Sequence, residues 1–87
     1  MSELSSPGLR VDRSLDVRGV PSPESYLKAK QTLAELADTQ VLELYLDDGE
    51  PLRSIPFGLR AEGHEIVVSE PATEGVRLLV RKRPPIT

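Results

Sequence analysis

The sequence predicts a two-layer α/β sandwich, ordered β-α-β-α-β-β, in which a mixed four-stranded sheet carries two helices on one face. Three observations predict it. Short runs with an apolar residue at every second position alternate with longer runs whose apolar residues fall three and four apart. Each run is apolar on one side only, so each element needs a single covering layer. Turn formers separate the runs at Gly19-Val20-Pro21, Asp47 to Pro51, Glu62-Gly63-His64 and Pro71 to Gly75. Right-handed crossovers put both helices on one side if the first three strands run parallel, and the closing hairpin reverses the fourth.

The elements follow in order. Met1 to Arg13 mix Ser, Pro, Gly and charge without periodicity, so residues 1–13 read as a flexible lead-in, 14–83 as the domain and 84–87 as a tail. Leu15 and Val17 alternate with Asp16 and Arg18 as a half-buried strand, which Gly19 and Pro21 stop. Ser22 is placed as a helix N-cap, with Pro23 at the first helical position and Glu24 in the positive end of the macrodipole. The helix is expected from Pro23 to about Ala37. Tyr26, Ala29, Leu33 and Leu36 with Ala37 form its apolar stripe, while Lys28, Gln31, Thr32 and Glu35 face away. Asp38-Thr39-Gln40 connects to the second and most apolar strand, Val41 to Leu46, with Leu42, Leu44 and Leu46 on one face.

Asp47-Asp48-Gly49-Glu50-Pro51 combines turn formers with an acidic helix start, so Pro51 is expected in the first turn of a second helix whose N–H groups meet nearby carboxylates. Leu52, Ile55 and Leu59 supply its buried side, with Phe57 as a further candidate. Pro56 removes a donor and restricts Ile55, which predicts a kink or break. Gly63 suits a left-handed C-cap ahead of a third strand, Glu65 to Glu70, with Ile66 and Val68 pointing inward. The last strand runs from Val76 to about Lys82, where Val76, Leu78 and Val80 alternate with Arg77, Leu79 and Arg81, and Pro84-Pro85 ends pairing.

Composition excludes several classes of function. The 87 residues have 38% hydrophobic content, which suits one small domain. Aromatics are only Tyr26, Tyr45 and Phe57, so there is little stacking surface for bases or sugars. A net charge of -3 lacks the long-range attraction to phosphate polyanions that drives nucleic-acid binding. With no cysteine and one histidine, neither a disulfide nor a metal centre is implied, and no cofactor is expected. No basic-then-apolar leader and no apolar run near the roughly 20 residues of a membrane span is present, so a cytoplasmic monomer without a membrane partner is the expectation.

Few residues suggest chemistry. His64 could act as a general base, but it follows Gly63 at a turn with no nucleophile close in sequence, which favours a structural role. Asp47 and Asp48 read as capping carboxylates rather than as an acid–base pair or magnesium ligands. Arg81-Lys82-Arg83 reads as charge protecting a sheet edge rather than as a docking patch. Arg18 closes the first strand beside Ser22, where it would either pair with Asp16 or Glu24 or put a guanidinium at the helix start.

The run Leu15-Asp16-Val17-Arg18-Gly19, followed after two residues by Ser22-Pro23-Glu24-Ser25, resembles the TusA/SirA family of small sulfur-carrier proteins, whose hallmark is Leu-Asp-X-Arg-Gly leading into Cys-Pro-X-Pro. Asp47 to Pro51, Arg53-Ser54-Ile55-Pro56 and Glu62 to Ile66 extend the resemblance over about residues 14 to 83. It implies strand order 1-2-4-3 and persulfide relay between proteins. A cysteine desulfurase or a sulfur-acceptor protein would be the partner, touching a rim of Arg18, Gly19, Val20, Pro21, Pro23 and Glu24. The family's sulfur-bearing cysteine aligns with Ser22, and the second proline with Ser25. A thiol at a helix start is activated by a fall in pKa from about 8.5 to a range of about 3.5 to 7.5. A hydroxyl, near the roughly 15.7 of water, is not activated in this way and offers no sulfur for exchange. Ser22 is therefore either a substitution introduced to prevent oxidation or a natural divergence, and relay is blocked in both cases. The alternative is a non-catalytic interaction or regulatory module on the same fold.

Overall fold

The structure, a computed structural model, describes residues 10–83, so the expectations for residues 1–9 and for the tail from Pro84 lie outside the described residues. Its elements are β1 (Arg13–Asp16), α1 (Glu24–Ala34), β2 (Val41–Leu46), α2 (Glu50–Ala61), β3 (Glu65–Pro71) and β4 (Val76–Arg81). The sheet order is β1-β2-β4-β3. β1 pairs parallel with β2, and β4 runs antiparallel to both β2 and β3. The expected sandwich and strand order are therefore those observed.

Side-chain alternation places the core. Leu42, Leu44 and Leu46 pair with Val80, Leu78 and Val76 and are all buried on one face. Ala29, Leu33 and Leu36 from the α1 segment and Ile55 and Leu59 from α2 close over them. Burying a side chain such as Leu44 stabilises the fold by about 1.5–3 kcal/mol. The other face carries no helix and is largely polar, although Val41 and Leu79 on it are buried. There Glu43 accepts from the Ser14 hydroxyl at 2.6 Å and from Arg77 Nε at 2.7 Å, while Arg77 Nη1 reaches Glu70 at 2.7 Å. These donors, Ser14 first, hold the Glu43 pKa below the usual carboxylate range.

Several boundaries differ from expectation for physical reasons. Arg13 opens β1, and Asp12 exchanges two bonds of 2.9 Å with the Val41 backbone, so both residues lie within the folded chain rather than in a lead-in. α1 ends at Ala34, not Ala37. Its last turn tightens, with Leu36 N donating to Leu33 O, and Ala37 is exposed. Lys82 Nζ then satisfies the freed carbonyls of Leu33 and Leu36 at 2.8 and 2.9 Å. α2 is not broken at Pro56. Pro56 is buried between the inward-facing Ile55 and Leu59, and that packing offsets the missing donor. Phe57 points outward and is 74% exposed.

β3 contains a bulge between Ile66 and Val68. Ile66 pairs with Val80 and packs on the core, but Val68 pairs with Leu79 and so lies on the opposite face, contrary to simple alternation. β4 is an interior strand, so Arg81 to Arg83 do not guard an edge. Arg81 instead pairs with Glu65 at 2.8 Å. The turn after α2 is as expected: His64 N donates to Leu59 O and Gly63 N to Arg60 O, the paired bonds that close a helix C-terminus.

Candidate functional site

The parallel pairing of β1 and β2 decides what lies around Ser22. With Asp16 opposite Tyr45, the residues that leave the two strands emerge side by side at the same edge of the sheet. Val17 is buried, and its N–H extends the ladder to Tyr45 O at 2.9 Å. The chain then turns, with Val20 N donating to Val17 O at 3.1 Å. Gly19 adopts φ +82°, and its N–H donates to Asp47 Oδ2 at 2.8 Å. Only glycine takes that backbone conformation without strain. Asp47 is therefore the clasp between the two loops, not a cap of α2. The α2 N-cap is Gly49, which has no side-chain cap bond.

Ser22 does not cap α1. The N-cap is Pro23, again without a side-chain cap bond, and the first helical residue is Glu24. Backbone carbonyls serve instead: Ser25 N donates to Pro21 O at 3.1 Å and Leu27 N to Pro23 O at 3.0 Å. The chain has already turned by Pro21, which leaves the Ser22 side chain exposed just before the helix. Ser25 is the one buried polar residue of the described core.

A groove of about 650 Å³ has Gly19, Val20, Pro21 and Ser22 as one wall and Asp47, Asp48, Glu50 and Pro51 as the other. Of the expected rim, Pro23 and Glu24 lie beside it on the exposed start of α1. Arg18 faces elsewhere. Its Nε and Nη2 grip the two oxygens of Asp16 at 3.0 and 2.8 Å, Nη1 reaches Glu74 O at 2.9 Å, and the guanidinium lies 5.0 Å from the centre of the Tyr45 ring. That fork, chiefly its hydrogen bonds, lowers the Asp16 pKa from 3.8 to about 2. Gly75, at φ +80°, makes this closeness possible, since a Cβ there would run into the Leu46 carbonyl and crowd Arg18.

The acidic wall is what sequence reasoning missed. The available signal was strand adjacency: once β1 and β2 are parallel neighbours, Asp47 must lie beside Gly19. Three carboxylates, Asp47, Asp48 and Glu50, oppose a thiolate or other anion at position 22, whereas the start of α1 favours one. A neutral hydroxyl is indifferent to both. Among the described residues, no three His, Asp or Glu side chains gather to hold a metal ion. No helix among them is long and apolar enough to cross a membrane. His64 lies at the other end of the sheet, where its Nδ1 accepts from Arg83 N at 3.2 Å and burial lowers its pKa.

Fold and groove define a class: a small α/β sandwich that offers an open helix start at the edge of its sheet rather than an enclosed reaction cavity. Residues 13–82 match the family model described as sulfurtransferase TusA, and the chain belongs to that family of sulfur carriers. It is also similar to a protein of Archaeoglobus fulgidus described as a candidate sulfur carrier, with 26% identity over 76 residues that cover 86% of each chain.

Proposed function

We propose that this chain is a sulfur-relay domain that keeps the docking edge of its family but does not itself carry persulfide sulfur. The observation that supports this reading is the exposed Ser22, which stands in the turn where the family motif has its cysteine, in a chain with no thiol. Persulfide transfer requires a thiolate to attack the terminal sulfur of a donor persulfide. A new S–S bond forms, the old one breaks, and the donor leaves as a thiolate. Ser22 supplies no such thiolate. The proposed partner is a cysteine desulfurase or a sulfur acceptor in the cytoplasm, which docks on Gly19 to Glu24. Arg18 acts from behind that rim by fixing the strand end against Asp16 and Glu74.

Incubation with a desulfurase and cysteine tests the proposal. Mass spectrometry is expected to find no added sulfur on this chain and one added atom on Ser22→Cys. Sulfur bound to the serine protein would overturn the reading. In a titration with the same desulfurase, amide shifts centred on 19–24 support docking at this edge. Shifts centred on 77–83 would instead favour a non-catalytic interaction module.

A further inference from the structure

A second cavity, of about 210 Å³, opens at the far end of β2 from Ser22, between the last turn of α1, the α2–β3 turn and the residues after β4. Lys30, His64, Lys82 and Arg83 line it, with Glu62 as the only carboxylate among the described residues. Its polar groups are nearly all donors. Lys82 Nζ is fixed by two carbonyl oxygens, Leu33 O and Leu36 O, which leaves its third N–H unclaimed among the described residues. Lys30 is held by Glu62 at 3.0 Å, and Tyr26 Oη donates to the same Glu62 oxygen, also at 3.0 Å. His64 accepts at Nδ1, so its neutral ring carries the proton on Nε2.

Charge favours an anion, though by a modest margin. Glu62 neutralises Lys30, and the C-terminal carbonyls of α1 offset Lys82. Glu65 is shared by Arg81 at 2.8 Å and Arg83 at 3.4 Å. Among the described residues one positive charge, shared by Arg81 and Arg83, then remains uncompensated, and protonation of His64 adds a second. The C-terminal end of α2 opposes both. A chain of net charge -3 does not gather anions over its whole surface, so any anion bound here is held by this cavity.

We propose that the cavity binds a small tetrahedral oxyanion of the sulfate or phosphate class, with Lys30, Lys82, Arg83 and the His64 ring as its donors. Binding strengthens as pH falls, because the bound anion stabilises the imidazolium that burial and Lys82 disfavour in the free protein. The site is independent of the Ser22 edge.

Sulfate is the probe of choice, since it keeps its charge where phosphate titrates. In a titration against sodium chloride at matched ionic strength, saturating amide shifts are expected at Ala34, Gly63, His64 and Arg83. Affinity should rise roughly tenfold from about pH 7.5 to about pH 5.5. Lys30→Gln should weaken binding about tenfold, as loss of a charge-assisted hydrogen bond would. His64→Gln should bind sulfate similarly at the higher pH and lose the pH dependence. Equal shifts with chloride, or a pH dependence that survives His64→Gln, would overturn the proposal.

Discussion

The two ends of β2, about 20 Å apart for a six-residue strand, carry opposite charge. Beside Ser22, where α1 and α2 begin, stand Glu24, Asp47, Asp48 and Glu50. Beside His64, where both helices end, stand Lys30, Arg60, Lys82 and Arg83. The acids at the helix starts and Arg60 in the last turn of α2 are what the macrodipole favours, whereas α1 has no base in its last turn and both helices end on a glutamate, Glu35 and Glu62. The two ends differ in how loops are tied down: Asp47 accepts a backbone N–H, whereas Lys82 donates to backbone carbonyls. The polarity of the Ser22 groove is thus first a feature of the fold, which a resident thiolate would have to overcome and a serine does not.

The sharpest way to break the Ser22 end is Gly75→Ala. Its Cβ would meet Leu46 O at a residue with φ +80°, so the strain of a left-handed conformation adds to a backbone clash. A loss of about 2–4 kcal/mol is expected in urea unfolding. A loss below about 1 kcal/mol would mean that the hairpin relaxes freely and does not hold the edge. The matching change at the other end is Lys82→Met, which keeps the stem and removes the ammonium group. Leu33 O and Leu36 O then lose their donor, and about 1–2 kcal/mol should be lost, the lower figure if water replaces it. Were Lys82→Met neutral, water would satisfy the two carbonyls as well as the ammonium group does, and Lys82 would not be what ties down the end of α1.

Much of this was legible in the sequence. Alternation at Leu42, Leu44 and Leu46 fixed one face of β2, and the turn formers located both helices. What escaped was set by contacts distant in sequence. The Val68 reversal needs a bulge, which is a property of pairing with β4. Helix propensity alone would stop α2 at Pro56, yet burial on the sheet carries the helix through. Ser22 and Asp47 each have the side chain of a capping residue, but their roles were decided by Pro21 O, which takes the α1 donor, and by Gly19, which the parallel register brings to Asp47. The motif around Ser22 could be read as a string, whereas the acidic wall facing it follows only once β1 and β2 are set side by side in parallel.

Acid should expose a smaller difference between the ends. Asp16 has a folded pKa of about 2 against an ordinary 3.8, so its contribution is complete above about pH 4 and is lost as pH falls toward 2. The pair is solvent-exposed, which makes this a marginal contribution to stability. Side-chain carboxyl shifts followed by NMR should give the lowered midpoint, and Arg18→Gln should restore it toward 3.8. An unmoved midpoint in Arg18→Gln would assign the shift to the turn backbone instead.

The smallest expected effect tests the Ser22 turn itself. A serine that caps a helix loses about 0.5–2 kcal/mol on replacement by alanine. Here Pro23 is the N-cap, no side chain bonds to the first turn, and the Ser25 donor is taken by Pro21 O. Ser22→Ala should therefore lie within about 0.5 kcal/mol of the parent, as exposed substitutions usually do. At about 4–8 °C per kcal/mol for a domain of this size, that is a Tm change of no more than about 2–4 °C. A larger fall would show that the hydroxyl does cap α1. A null result means that position 22 is structurally free, so that Ser22→Cys can be read as a change of chemistry alone.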